Sequence, residues 1–93
     1  MAFSAAETEA ASEAASRLLN DLGLGACRFS LTPQGDSWLV EIECPRQGEP
    51  VTAMLTAEHH QLYASLDDVP GREHLRHEWE VKLADCLRLT RGN

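Results

Sequence analysis

The histidines are the residues whose type and spacing could do chemistry. His74 and His77 lie three residues apart in a predicted helix, so they fall on adjacent turns and are close enough to bind one metal ion. Glu73 and Glu78 flank this pair and could complete the ligand set. The order His-x-x-His-Glu matches neither the HExxH motif nor its inverted form. A solvated, charged helix face is the simpler interpretation, and a metal-binding or metal-regulated protein is the alternative.

A second pair, His59-His60, falls in a predicted turn. Either side chain could complete the metal site if that turn packs near the last helix. Asp67 and Asp68 are adjacent, so their side chains point apart, and helix-start residues are a better interpretation than a catalytic pair.

Three cysteines, Cys27, Cys44 and Cys86, could supply a disulfide, a metal site or a nucleophile. An odd count with no close pair argues against a disulfide framework and against a CxxC metal site. All three fall on predicted core faces, where cysteine behaves as a small hydrophobe. A cysteine nucleophile needs an exposed, electropositive setting with a positioned histidine, and the pattern places none. The sequence also has no Gly-rich phosphate loop, serine nucleophile motif or dinucleotide fingerprint. We therefore predict a non-enzymatic protein with no cofactor.

The net charge of the chain indicates which classes of partner it can bind. Eight Lys and Arg against fifteen Asp and Glu give a net charge of −7. The basic residues are scattered, whereas a phosphate backbone or an anionic membrane is bound by clustered cations. No stretch approaches the roughly 20 apolar residues of a membrane span, and the N-terminus lacks a signal-peptide pattern. We expect a cytoplasmic protein that binds neither nucleic acid nor membranes.

The elements that position these residues begin with a sheet. Four short runs in residues 27–66 alternate apolar and polar residues, and the turns between them let all four place their apolar residues on one face. The residue numbers of cross-strand partners in an antiparallel pair add up to a constant, so a first turn at residues 33–36 and a second at 45–50 determine the predicted pairs. They are Leu31 with Trp38, Phe29 with Val40 and Cys27 with Ile42, then Cys44 with Val51, Ile42 with Ala53 and Val40 with Leu55.

The fourth run is open to two interpretations. A turn at residues 57–60 would pair Leu55 with Leu62, Ala53 with Ala64 and Val51 with Leu66. Leu55, His59, Leu62 and Leu66 also fit a helical spacing, and this turn has neither Gly nor Pro. The alternation favours a strand, which gives a three- to four-stranded meander.

Two helices are predicted to cover one face of this sheet, since its apolar side must be buried. The first begins at Ser4 with a capping box to Glu7 and stops at Gly23. The second begins at Pro70 and carries an apolar stripe. Its members are Leu75, Trp79, Leu83, Cys86 and Leu87. The prediction is one α+β domain over residues 1–93, with residues 1–10 and 91–93 frayed.

The outer face of the sheet is the predicted partner-binding surface. It carries Leu39, Met54 and Tyr63 among polar residues, with Met54 opposite Tyr63 and Arg28 opposite Glu41 in this register. A small apolar group with a polar rim can dock a partner chain, although isolated apolar residues are also common on surfaces.

The segment from Ala15 to Leu87 resembles the front part of the class I type III secretion chaperones of bacteria. The likeness lies in the leucine-rich, glycine-terminated run 16–24, the hairpin around Gln34-Gly35-Asp36, and residues 61–70 before the last helix. It implies a homodimer that holds an extended, partly unfolded polypeptide against its sheet and helix surfaces. The leading hypothesis is therefore a small acidic protein-binding module, chaperone-like or adaptor-like, and an accessory protein is a third alternative.

Overall fold

The computed structural model describes residues 3–44 and 50–84. Within these ranges the elements are α1 (Ala5–Asp21), β1 (Arg28–Gln34), β2 (Ser37–Cys44), β3 (Val51–Glu58), α2 (His59–Ser65) and α3 (Val69–Lys82). The described strands form one antiparallel meander in the order β1-β2-β3. This confirms the predicted α+β class, with an N-terminal helix, a meander and a C-terminal helix.

Helix α1 begins and ends at the predicted residues. The Ser4 hydroxyl accepts from the Glu7 N–H at 3.1 Å, and the Glu7 carboxylate accepts from the Ser4 N–H at 2.9 Å. Gly23 follows the helix with φ +79°, the left-handed conformation that glycine adopts without strain. The buried side chains of α1 begin at Ala11. The fraying of residues 1–10 stays a prediction.

The first hairpin is shifted by two residues from the predicted register. Phe29 lies opposite Ile42 and Leu31 opposite Val40, because the loop is only Gly35-Asp36. Gly35 has φ +61°, as the first central position of a type II′ turn requires. A shift of two keeps every side chain on its predicted face, so burial alone could not reveal the error. The second predicted register, through Ile42 and Ala53, is confirmed.

The predicted fourth strand is wrong, because residues 59–65 form helix α2. Strand β3 runs on to Glu58, and no turn reverses the chain there. The burial follows a helical period: Leu62 and Ser65 are buried, whereas Ala64, an inward position of the predicted strand, is exposed. The helical spacing recognised in the sequence was the correct alternative.

Helix α3 begins at Val69, one residue before the predicted start, and Pro70 lies in its first turn. The Asp68 carboxylate caps it by accepting from the Gly71 N–H at 2.9 Å, which confirms the helix-start role of this residue. The stripe residues Leu75, Trp79 and Leu83 are buried. Cys86, Leu87 and residues 91–93 lie outside the described residues.

One core cluster gathers buried side chains from α1, β2, β3, α2, α3 and the loops, and β1 packs the partly buried Phe29 and Leu31 against it. On β2 the inward residues Trp38, Val40, Ile42 and Cys44 are at most 1% exposed. Alternate residues of β2 and β3 therefore lie against the core or toward the other face, as the alternation predicted. The packing of both helices over one sheet face stays a prediction.

Candidate functional site

The α3 residues predicted to bind a metal make separate pairs along the exposed side of the helix. His74 Nε2 lies 3.1 Å from the Glu78 carboxylate, and His77 Nδ1 lies 3.9 Å from the carboxylate of Glu80. The Glu73 carboxylate accepts instead from Arg76 at 2.7 Å.

The Glu73–Arg76 contact perturbs both groups. Its hydrogen bond and charge lower the pKa of Glu73 and raise the pKa of Arg76. Within residues 3–44 and 50–84, no group of three or more His, Cys, Asp or Glu side chains could hold a metal ion. The metal hypothesis stays a prediction from the sequence.

The two adjacent histidines point to different environments. His60 is exposed and lies 3.3 Å from the carboxylate of its neighbour Glu58. The His59 side chain is only 15% exposed, and its Nδ1 accepts a 3.1 Å hydrogen bond from the indole N–H of Trp38. The sequence pattern gave no signal for this contact, because it joins residues 21 positions apart.

The surroundings of His59 explain what the ring does. Because the indole N–H can only donate, Nδ1 carries the lone pair and the neutral ring holds its proton on Nε2. Nε2 faces the Glu7 carboxylate at 3.6 Å, and the Phe3 ring lies 4.7 Å from the imidazole and stacks on Trp38 at 4.3 Å. Both ring nitrogens are thus directed at protein groups. His59 ties the start of α1 to β2 and α2.

Tyr63 does not lie where the sequence register placed it. Helix α2 carries it into a groove of about 550 Å³ beside α1, whereas Met54 lies on β3 opposite Glu41. Acidic side chains dominate this groove. Its lining residues include Glu7, Glu9, Glu13, Arg17, Leu66 and Asp67. The predicted pairing of Met54 with Tyr63 is therefore wrong, because the strand that would have carried Tyr63 is a helix.

The outer face of the sheet consists of three rows of side chains that alternate away from the core. The rows are Arg28–Glu43–Thr52, Ser30–Glu41–Met54 and Thr32–Leu39–Thr56. Arg28 thus lies opposite Glu43 and not Glu41, again because of the two-residue shift. Leu39 and Met54 are diagonal neighbours on adjacent strands. We call these nine residues the outer face.

The side chains of the outer face are more exposed to solvent than those on the core side of the sheet. Met54 is 65% exposed and Leu39 is half-buried. A shallow depression of about 380 Å³ lies beside them and is lined mainly by Arg28, Ser30, Glu41, Glu43 and Thr52. The outer face therefore presents two carboxylates of β2 and two apolar side chains on a rigid, hydrogen-bonded support.

Two of the three cysteines meet in the core. Cys27 Sγ lies 2.8 Å from Cys44 Sγ, and the two residues are 8% and 0% exposed. The prediction that both are buried is confirmed, but they are a close pair in space, which the shifted register concealed. Cys86 lies outside the described residues.

Comparison with protein-family models, with curated proteins and with solved structures finds no match for this chain. The resemblance to class I type III secretion chaperones accordingly stays a prediction. None of the helices in the described ranges is long and apolar enough to cross a membrane.

Proposed function

We propose that this chain is a non-enzymatic protein-binding module, adaptor-like or secretion-chaperone-like, which binds another polypeptide through the outer face of its sheet. The observation that carries the proposal is the exposure of Met54, which leaves 65% of its surface in solvent beside Leu39. A thioether side chain adapts to differently shaped partners and is common at binding surfaces.

The charges of the outer face favour a particular partner chemistry. Glu43, Glu41 and Leu39 follow one another along β2 on the same side of the sheet. Side chains on one side of a strand repeat every two residues, about 6.8 Å apart. A partner segment in extended conformation has the same repeat. Basic side chains at two alternate positions would contact Glu43 and Glu41, and an apolar side chain at the following alternate position would contact Leu39.

Complementary charge gives specificity and a faster association rate, whereas the apolar contact supplies most of the affinity. The net charge of −7 acts in the same direction, because it attracts basic segments over the whole surface. The secretion chaperones that the sequence resembles have a helix, a curved sheet and then a helix, and the element order here, with a helix, a meander and then two helices, is similar.

Site-specific photo-crosslinking tests the proposal. A photoreactive residue replaces Met54 in one variant and Val81 in a control variant, since Val81 is an equally exposed apolar residue, 66% accessible, on α3. In cells that express the protein, we expect a discrete crosslinked polypeptide from the Met54 position that is absent from the Val81 position. Equal labelling at both positions, or none at Met54, would contradict the proposed surface. A crosslinked product of twice the chain mass would identify a homodimer.

A further inference from the structure

Cys27 and Cys44 lie across from each other at the open end of the β1–β2 hairpin. The last paired residues of that hairpin are Arg28 and Glu43, so one further step in the same register places the two cysteines directly opposite. Their sulfur atoms are 2.8 Å apart in the core. We propose that these two thiols are a redox modification site, which closes to a reversible disulfide by exchange with a low-molecular-weight disulfide.

The backbone already has the geometry that the bond needs. Directly opposite residues of an antiparallel pair have Cα atoms about 4.5–5.5 Å apart, and disulfides span Cα separations of about 4.4–6.8 Å. The sulfur atoms must approach by about 0.8 Å to reach bonding distance. Small side-chain rotations suffice for this, so the sheet register need not change.

The exchange proceeds in two steps, in which atoms and electrons balance. The thiolate of Cys27, the more accessible of the two at 8% exposure, attacks one sulfur of the small disulfide and releases one thiolate. Cys44, after loss of its proton, attacks the Cys27 sulfur of the mixed disulfide and releases the second thiolate. The two protein thiols lose two protons and two electrons, the small disulfide gains the electrons, and the released thiolates can take up the protons.

The bond would fix the hairpin that forms much of the outer face. It joins the residue before β1 to the last residue of β2, across a sequence separation of 17. Because the folded chain holds the thiols together, folding and disulfide formation favour each other. Oxidation therefore stabilises the sheet, and reduction loosens the end of β1, an edge strand of the described sheet.

Peptide mapping of the unaltered protein tests the proposal. Cleavage after Lys and Arg places Cys27, Cys44 and Cys86 in three separate peptides, residues 18–28, 29–46 and 83–88. The protein is equilibrated with mixtures of oxidised and reduced glutathione, acid-quenched, alkylated and digested. We expect peptides 18–28 and 29–46 to be joined by a disulfide, with Cys86 alkylated or carrying glutathione.

The decisive quantity is the equilibrium constant for disulfide formation, measured in buffer and in concentrated guanidinium chloride. We expect the Cys27–Cys44 disulfide to be favoured roughly 100-fold more in the native chain than in the unfolded chain. Slow access to the buried thiols is overcome by refolding the protein in the same glutathione mixture. A ratio near one, or linkage mainly through Cys86, would overturn the proposal. A Cys44→Ala variant that yields only a glutathione adduct at Cys27 serves as the control.

Discussion

The indole N–H of Trp38 donates to Nδ1 of His59 at 3.1 Å, which links β2, the middle strand of the described sheet, to the first residue of helix α2. Trp38 is 1% exposed, so its N–H has no access to bulk water. A buried donor without a partner is costly. His59 therefore contributes to the fold of this chain, and its exposed neighbour His60 provides a natural comparison.

Replacing His59 with Leu should destabilise the protein. The indole N–H of Trp38 would lose its acceptor, at a cost of about 1–3 kcal/mol in the free energy of unfolding. The matched change His60→Leu should alter stability by about 0.5 kcal/mol or less, since His60 is an exposed surface residue. Urea unfolding of both variants measures the difference. In a Trp38→Phe background the cost of His59→Leu should shrink, and equal costs in both backgrounds would contradict the role assigned to this hydrogen bond.

Glu7 should make stability depend on acid pH. Hydrogen bonds from the Ser4 N–H and hydroxyl lower the pKa of Glu7 below its ordinary value of 4.5. A carboxyl whose pKa is lower in the folded chain stabilises the fold above pH 4.5, and this contribution is lost as pH falls through the folded-state pKa.

The variant Glu7→Gln isolates this effect, because glutamine keeps the capping box but does not titrate. Unfolding free energies of the two proteins, measured across the acid range, should differ most above pH 4.5 and converge below it. Parallel curves throughout would show that Glu7 is not linked to folding.

Arg72 should be essential for the junction between α2 and α3. Its Nε donates to the Ser65 carbonyl at 2.8 Å and its Nη2 to the Leu66 carbonyl at 2.9 Å, where the end of α2 leaves carbonyls unpaired. Lysine lacks the planar fork, so Arg72→Lys should lower stability by about 1–3 kcal/mol. Arg76→Lys is the control, because the exposed ion pair of Arg76 with Glu73 contributes little to stability. Equal losses in the two variants would refute the junction role.

Gly35 should tolerate no ordinary side chain without cost. Its φ of +61° is disfavoured for L-residues, so Gly35→Ala should lower the free energy of unfolding by about 1–2 kcal/mol. Asp36→Ala in the same loop is the comparison, since Asp36 does not have a positive φ. Thermal unfolding of both variants measures the effect. A Gly35→Ala variant as stable as the parent would contradict the two-residue turn.

The sequence was sufficient for the faces of the strands, because a period of two and a buried side determine them. It was insufficient for the first register, since a slip of two residues preserves every face, and the Gly35-Asp36 pair was the signal for the shorter loop. Because of that slip, the predicted register did not place Cys27 opposite Cys44. Residues 59–65 were misassigned because Leu62 fits both periods, and the burial of Ser65 with the exposure of Ala64 distinguishes the helix from the strand.

The candidate surface was predictable in part. Leu39 and Met54 were placed on the outer face by alternation alone, and the structure brings them together as diagonal neighbours. Tyr63 does not belong to that face, because residues 59–65 form helix α2 and not a fourth strand. The Trp38–His59 contact joins residues 21 positions apart, which no local pattern encodes.

The affinity of a crosslinked partner for purified variants tests the central claim most directly. The double variant Leu39→Ser/Met54→Ser removes the apolar part of the outer face, and Val69→Ser/Val81→Ser removes two residues on α3 that are 62% and 66% exposed. We expect the first variant to stay folded and to bind roughly 10- to 100-fold more weakly by calorimetry, and the second to bind like the parent. Equal affinities for the parent and the outer-face variant would contradict the claim that this face binds the partner.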